Sequence, residues 1–425
     1  MPPFGRDVIL LAAQAIRAGP SGDICVKYIA YWMLTLAAIQ AAATTRAQPV
    51  QGDVRSVGFQ ASTFSGFVAR EGQWTPILVE LTAQGQVFQG RVRCELHDLD
   101  GDRVDYFVSP VAVTPGAGIK RVWCYASYVA AELSNPQKLD VISDDGQRLV
   151  TIDVPATEVL SSDVELIVDI SERAVPRLLT LNRSDNDYAS LPRGDTEYYR
   201  GICVATLPAR NLPDRWIGLE TAEVIVWDEP RPDALSIAQL NALRRWVQNG
   251  GRLVLGLGAA WPQVATGALA ELLPFSTDGA RLENISELPA LADWTAGSRT
   301  ALSDPTAVVV AEPAHNALVL RKDRLPNGAP LNLIAQKFVG SGRVTACAAR
   351  LSDISRVALP SKFWPEIFDL NPRTRVFNER EADSLRGAPR LYDAVVEPIE
   401  FRRAAGLLAI VAAAFVAVYI VVSTV

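Results

Sequence analysis

The stretch at residues 221–260 constrains the fold more than any other part of the chain. Glu223-Val224-Ile225-Val226-Trp227 reads as a buried strand, and Asp228-Glu229-Pro230 ends it. Ser236 then opens a helix with Gln239 three residues on, the spacing of a capping box. Ile237, Leu240, Leu243 and Val247 recur at three- and four-residue steps, which predicts one apolar face. Asn249-Gly250-Gly251 stops the helix, with glycine supplying the left-handed position. Arg252-Leu253-Val254-Leu255 follows as a second apolar strand, closed by Gly256-Leu257-Gly258. Strand, helix and strand with short joints make a βαβ unit, with parallel strands and a right-handed crossover expected.

The chain around this unit has 425 residues, too many for one ordinary hydrophobic core, so a multidomain protein is expected. Its formal net charge is -6, and its 41 Lys and Arg are dispersed, which excludes an electrostatic tract for nucleic acid. The five cysteines, Cys25, Cys94, Cys124, Cys203 and Cys347, include no CxxC pair. Cys94 and Cys124 fall in two strand-like segments, either as buried free thiols or as a pair facing one another in an oxidising compartment. With only His97 and His315 present, no histidine-built metal site is expected, and no cofactor is called for.

Taken in order, residues 1–27 form a mixed tail. Residues 28–47 are an apolar run ending in Thr45-Arg46-Ala47, which reads as a signal peptide cleaved after Ala47 or as an uncleaved membrane anchor. Residues 52–156 have the texture of a β-sandwich: in Arg91-Val92-Arg93-Cys94-Glu95-Leu96 the apolar side chains alternate with charged ones. Residues 161–350 alternate strands and helices, which predicts an α/β domain with a mainly parallel sheet. Residues 351–403 read as an irregular extension or stalk, apart from an amphipathic stretch at 362–370. Residues 404–425 carry no charge and, at about 1.5 Å per residue, are long enough for a C-terminal transmembrane helix. This layout predicts a single-pass protein of the bacterial inner membrane, with residues 48–403 periplasmic or otherwise outside the cytosol. Arg402 and Arg403 would then lie on the outer side, against the positive-inside preference.

The candidate chemistry lies at the carboxyl ends of the two strands of the βαβ unit, the face where open α/β sheets bind ligands. Gly256 and Gly258 permit a tight turn and a close backbone approach. A dinucleotide fingerprint would need a third glycine where Trp261 stands, and the Lys and Ser or Thr of a phosphate-binding P-loop are absent. Asp228 and Glu229, adjacent acids at the other strand's end, are placed to hold a cation or orient a water. Trp261 is a candidate ligand platform. Asp228, Glu229, Gly256, Gly258 and Trp261 are therefore the ligand-binding candidates, with no catalytic residue assigned.

The run from Glu223 through Leu235-Ser236, Leu240, Leu243, Trp246-Val247, Gly250-Gly251 and Leu253-Val254 resembles the flavodoxin-like class I glutamine amidotransferase superfamily. It is closest to the divergent members found in membrane-anchored bacterial proteins. Active members of that family place a nucleophilic cysteine in a glycine-flanked elbow, and the comparable position here falls near Leu257 or Gly258. The resemblance thus implies an inactive amidotransferase-like domain. The expected role is non-catalytic binding or scaffolding in an envelope assembly, with envelope proteins and the lipid bilayer as partners. The alternatives are a metal-assisted hydrolase using Asp228 and Glu229, and a ligand-binding sensor using the Gly256 loop.

Overall fold

A computed structural model of the chain describes residues 50–61, 66–97, 102–108, 110–128, 137–160, 164–182, 202–295, 297 and 299–368. The tail, the apolar segment at 28–47, the residues beyond 368 and the apolar run at 404–425 lie outside the described residues. The first half is all strand: β1 (Val50–Val57), β2 (Phe59–Ala61), β3 (Phe67–Ala69), β4 (Trp74–Ala83), β5 (Phe88–His97), β6 (Arg103–Phe107), β7 (Val111–Val113), β8 (Lys120–Ser127), β9 (Gln137–Ser143), β10 (Arg148–Val154) and β11 (Thr157–Val159). The second half begins with β12 (Glu165–Asp169), β13 (Ile202–Thr206), β14 (Val224–Asp228), helix α1 (Ile237–Gln248) and β15 (Arg252–Gly256). It continues with α2 (Trp261–Ala265), β16 (Arg281–Glu287), α3 (Leu291–Trp294), β17 (Ala301–Val310), β18 (Ala317–Arg324), β19 (Pro330–Val339) and β20 (Gly342–Cys347). Helices α4 (Leu351–Ser355) and α5 (Pro360–Phe368) complete it.

In the first half, a three-stranded sheet β1-β4-β8 lies with a sheet of order β10-β9-β5-β6, to which β7 pairs through β5. Their buried side chains form one cluster that includes Ile77, Val79 and Leu81 of β4, Val92, Cys94 and Leu96 of β5, and Leu139 and Val141 of β9. On β5 the alternation read from the sequence is seen directly: Val92, Cys94 and Leu96 are buried, and Arg91 and His97 are exposed. Cys94 and Cys124 are both buried, and neither is in a disulfide. On β4, by contrast, Thr75 to Val79 are buried without alternation, so both faces of that strand are covered.

The second half is built on a ten-stranded sheet of order β11-β3-β2-β13-β12-β14-β15-β20-β19-β18. Its centre is parallel, from β13 through β12, β14 and β15 to β20, and so is the short edge pair β11-β3; the other pairings are antiparallel. Ile167, Ile225, Leu253 and Val344 on these strands are fully buried, as expected for strands covered on both faces. The βαβ unit is present as β14-α1-β15. Ser236 Oγ accepts from the Gln239 amide at 3.2 Å, and Gln239 Oε1 accepts from the Ser236 amide at 2.9 Å. The Gln239 side chain also donates to the Leu212 carbonyl at 2.7 Å, tying the helix start to the preceding loop. The buried face of α1 runs through Ala242, Leu243, Trp246 and Val247, while Ile237 is 79% exposed. The apolar stripe is thus rotated away from the first turn. Gly251 matters for packing: an added Cβ would lie 2.4 Å from the Trp246 ring.

The expected fold class, a β-sandwich followed by a mainly parallel α/β domain, is corrected, while the expected transmembrane helix at 404–425 lies outside the described residues. The molecule is mostly strand with one large mixed sheet. Residues 281–347, read as further α/β alternation, instead form the antiparallel pairs β16-β17, β18-β19 and β19-β20. Short apolar runs carry no information about strand direction, which accounts for the misreading. The strands β2, β3 and β11 leave the first half to extend the large sheet, β2 pairing antiparallel with β13. Among the described residues no helix is long and apolar enough to cross a membrane. Residues 360–368 form α5, whose Phe363, Trp364, Ile367 and Phe368 are buried in the core of the large sheet.

Candidate functional site

Asp228 ends β14 and Gly256 ends β15, directly opposite each other in the parallel register. The Asp228 carboxylate is turned across Gly256 toward the start of α4, where it accepts from the Leu351 amide at 2.7 Å and the Ser352 amide at 3.1 Å. It therefore serves as a cap for a helix more than a hundred residues later, supplying acceptors to amides that a helix start leaves unpaired. Gly256 makes this possible, because a Cβ there would lie 2.0 Å from Asp228 Oδ1 and 2.8 Å from the Leu351 nitrogen. Gly258 sits at φ +48°, and a Cβ there would meet Arg350 Cγ at 2.7 Å. The glycines are thus required by close packing against the chain at 350–351.

Burial pushes the Asp228 carboxyl up to about 6, with Glu229 adding to the effect and bonds from Ser352 and Leu351 pulling it back. Asp169, ending the neighbouring strand β12, follows the same pattern. It accepts from the Ser171 amide at 3.0 Å and the Val175 amide at 2.9 Å, and burial raises its carboxyl. Ser171 links the two sites, its Oγ accepting from the Asp228 amide at 2.8 Å. Glu229 occupies a left-handed conformation at φ +50° and lies 3.4 Å from Arg350. Arg350 makes two 2.8 Å bonds to Asp353, which also accepts from the Thr306 hydroxyl.

The five residues picked from the sequence therefore divide. Asp228, Glu229, Gly256 and Gly258 gather around the 350–353 segment, whereas Trp261 is buried in the core at the start of α2. Leu257, at the elbow position, is fully buried. Burial pushes both the Cys203 and the Cys347 thiols up to about 12, far from the range of a thiolate nucleophile. Among the described residues no cluster of three or more His, Cys, Asp or Glu is placed to hold a metal. The sequence reading missed Asp169, Arg350 and Asp353. A buried strand closed by an acid, repeated in Val168-Asp169 and Trp227-Asp228, was the available signal.

A second site lies on the outward face of β8. Trp123 and Tyr125 project from it side by side, with ring centroids 6.4 Å apart and planes at 24°. Trp74 stands against Tyr106 edge to face at 5.8 Å. With Lys120, Arg215 and their neighbours these rings line an open cleft of about 470 Å³. The loop at 213–218 forms one wall. There Asp214 accepts from the Tyr125 hydroxyl at 2.6 Å, and the Arg215 amide donates to the same oxygen at 3.1 Å. Gly218 leaves room for the ring, since a Cβ would be 2.5 Å from Tyr125 Cε1. The same loop covers the outer face of β4, which explains the missing alternation there.

No family model matches the sequence, and no curated protein matches it. Solved structures similar to the chain include the exo-β-1,4-mannosidase Op5Man5 from Opitutaceae bacterium strain TAV5. It is 15% identical over 50% of this chain and 35% of that one, with a TM-score of 0.26. A β-galactosidase from Rahnella sp. R3 is 16% identical over 51% of this chain and 31% of its own, also at 0.26. A β-galactosidase from Bacillus circulans sp. alkalophilus is 14% identical over 46% and 30%, again at 0.26. The chain spans about a third of the length of these enzymes, and likeness at this level assigns it no activity. The expected kinship with glutamine amidotransferases is corrected: no family model matches the sequence, and the pattern of strand, helix, Gly-Gly and strand is one that many sheets with parallel strands produce.

Proposed function

We propose that the described part of the chain is a non-catalytic binding module, the recognition element of a protein assembly. One observation carries this reading: the open cleft on β8 is floored by half-buried aromatic rings, and the single acid in its lining, Asp214, already accepts from Tyr125. Such a cleft offers surface and hydrogen bonds but no uncommitted nucleophile or general base. At the sheet end the metal-assisted alternative would need free donor oxygens on Asp228, and both of its oxygens hold amides of α4. The export segment read at residues 28–47 supports placing the binding step outside the cytosol.

The test uses the full chain. It should show no glutaminase, esterase or glycosidase turnover, with or without added Mg²⁺, Mn²⁺ or Zn²⁺. Robust turnover abolished by replacing Cys203, Cys347 or the Asp228-Glu229 pair would overturn the reading. Crosslinking in intact cells followed by partner identification checks the assembly role, and recovery of the chain alone would count against it.

A further inference from the structure

We infer that the cleft on β8 binds a linear, negatively charged oligosaccharide; this rests on the binding-module reading and names its ligand. The first argument is shape. Trp123 and Tyr125 are two residues apart on one strand, so both rings rise from the same face, near-parallel at 24°, and together make an apolar floor longer than a single ring. A flat heteroaromatic ligand held between them would need about 7–8 Å, two contacts of about 3.5–4.0 Å each, and the 6.4 Å spacing leaves no room for one. A chain of sugar rings fits such a floor, because each ring has an apolar C–H face that packs on an aromatic surface and a rim of hydroxyls. The volume of about 470 Å³ falls in the small-molecule range of roughly 300–1,000 Å³.

The second argument is polarity. The lining carries three cations, Lys120, Arg121 and Arg215, against one acid, Asp214. Arg121 is held by Glu80 at 3.1 Å. Lys120 and Arg215 make no ion pair among the described residues, and Arg215 lies over the Tyr125 ring at 5.8 Å. An exposed guanidinium and ammonium beside an aromatic floor match a carboxylate or sulfate carried on the sugar, with hydroxyls reaching the same donors. The rigid support agrees with a recognition role. Tyr125 is pinned by Asp214, by the Arg215 amide and by the space left at Gly218, so little side-chain freedom remains to be lost on binding.

The probe is an α-1,4-linked galacturonic acid tetramer, with the uncharged α-1,4-linked glucose tetramer as its control. Tryptophan fluorescence and calorimetry on the full chain should show saturable binding of the acidic tetramer, about tenfold or more tighter than the neutral one. Trp123→Ala should weaken it about tenfold, and Lys120→Gln or Arg215→Gln several-fold with a shallower salt dependence. Trp123→Phe, which keeps a ring, should retain most of the affinity, and an unchanged circular dichroism melt shows each variant folded. The inference is overturned by no saturable signal with the acidic tetramer, by equal binding of the two tetramers, or by binding indifferent to Trp123→Ala. It is also overturned if a proline-rich peptide binds through Trp123 while the tetramer does not. Release of new reducing ends from the tetramer would overturn the non-catalytic reading itself.

Discussion

Replacing Asp228 with alanine separates a structural carboxyl from a reactive one, and its expected cost depends on pH. The substitution strands the Leu351 and Ser352 amides, the first at a fully buried residue. An unsatisfied buried donor costs about 1–3 kcal/mol and a lost helix cap about 0.5–2, so roughly 2–4 kcal/mol should be lost when the wild-type side chain is neutral. The wild-type carboxyl, however, is raised by burial from 3.8 to about 6. A raised folded pKa gives stability that is complete below the unfolded value and is lost as pH climbs through the folded one. Between about pH 4.5 and 7.5 the wild type should therefore lose roughly 2 kcal/mol through this group alone, and the alanine variant should not. The difference between the two proteins should shrink by that amount over the same interval. Urea denaturation at both pH values measures it, with the midpoint displaced by about 1 M at the acid end and m unchanged. A variant as stable as wild type at the acid end, or a difference that grows with pH, would refute the reasoning. The first would mean that Asp228 is no cap, and the second that the charged carboxylate is the preferred form.

Three further outcomes are expected. Gly256→Ala forces a methyl to within 2.0 Å of Asp228 Oδ1, so it should cost about 1–3 kcal/mol and, paired with Asp228→Ala, should cost less than the sum. Thermal melts of the two single variants and the double variant check this. Ser236→Ala removes one half of the capping box and should lower stability by about 1 kcal/mol without touching the cleft, as read from a melt and an unchanged tryptophan titration. Gly218→Ala pushes on Tyr125 and should weaken ligand binding in the β8 cleft more than it lowers the melting temperature; an equal effect on both would argue against Tyr125 as a positioned recognition residue.

What could be read from the residues alone was local. The Ser236–Gln239 box, the stop at Gly250-Gly251 and the alternation on β5 are short-range patterns with one physical solution each, and all three are present. The large sheet was not legible, because its edges are recruited from distant segments: β2 and β3 from the first half, β18 and β19 from a hairpin near the end. Helical periodicity also misled at Ile237, because the buried stripe runs through Ala242, Leu243, Trp246 and Val247 and leaves the first turn outside. At the site, Asp228 and Gly256 stood out for the right reason, their position at strand ends, but their partner Leu351 is 123 residues away from Asp228 and no spacing rule connects them. The cleft aromatics Trp123 and Tyr125 lay in a strand already recognised. Only the loop at 213–218 folding back onto that strand makes them a floor.

The tie between Asp228 and the start of α4 also bears on how the molecule is made. As the chain leaves the ribosome, β14 and β15 emerge long before their neighbour β20 and the helices that follow it. Until β20 arrives, β15 has no partner on its outer side, and until Leu351 and Ser352 follow, the Asp228 carboxylate has no α4 amide to accept from. Contacts of such sequence separation form late and slowly. The central sheet is therefore completed only near the end of the described residues, and a nascent chain stopped before β20 exposes the edge of β15, which invites aggregation.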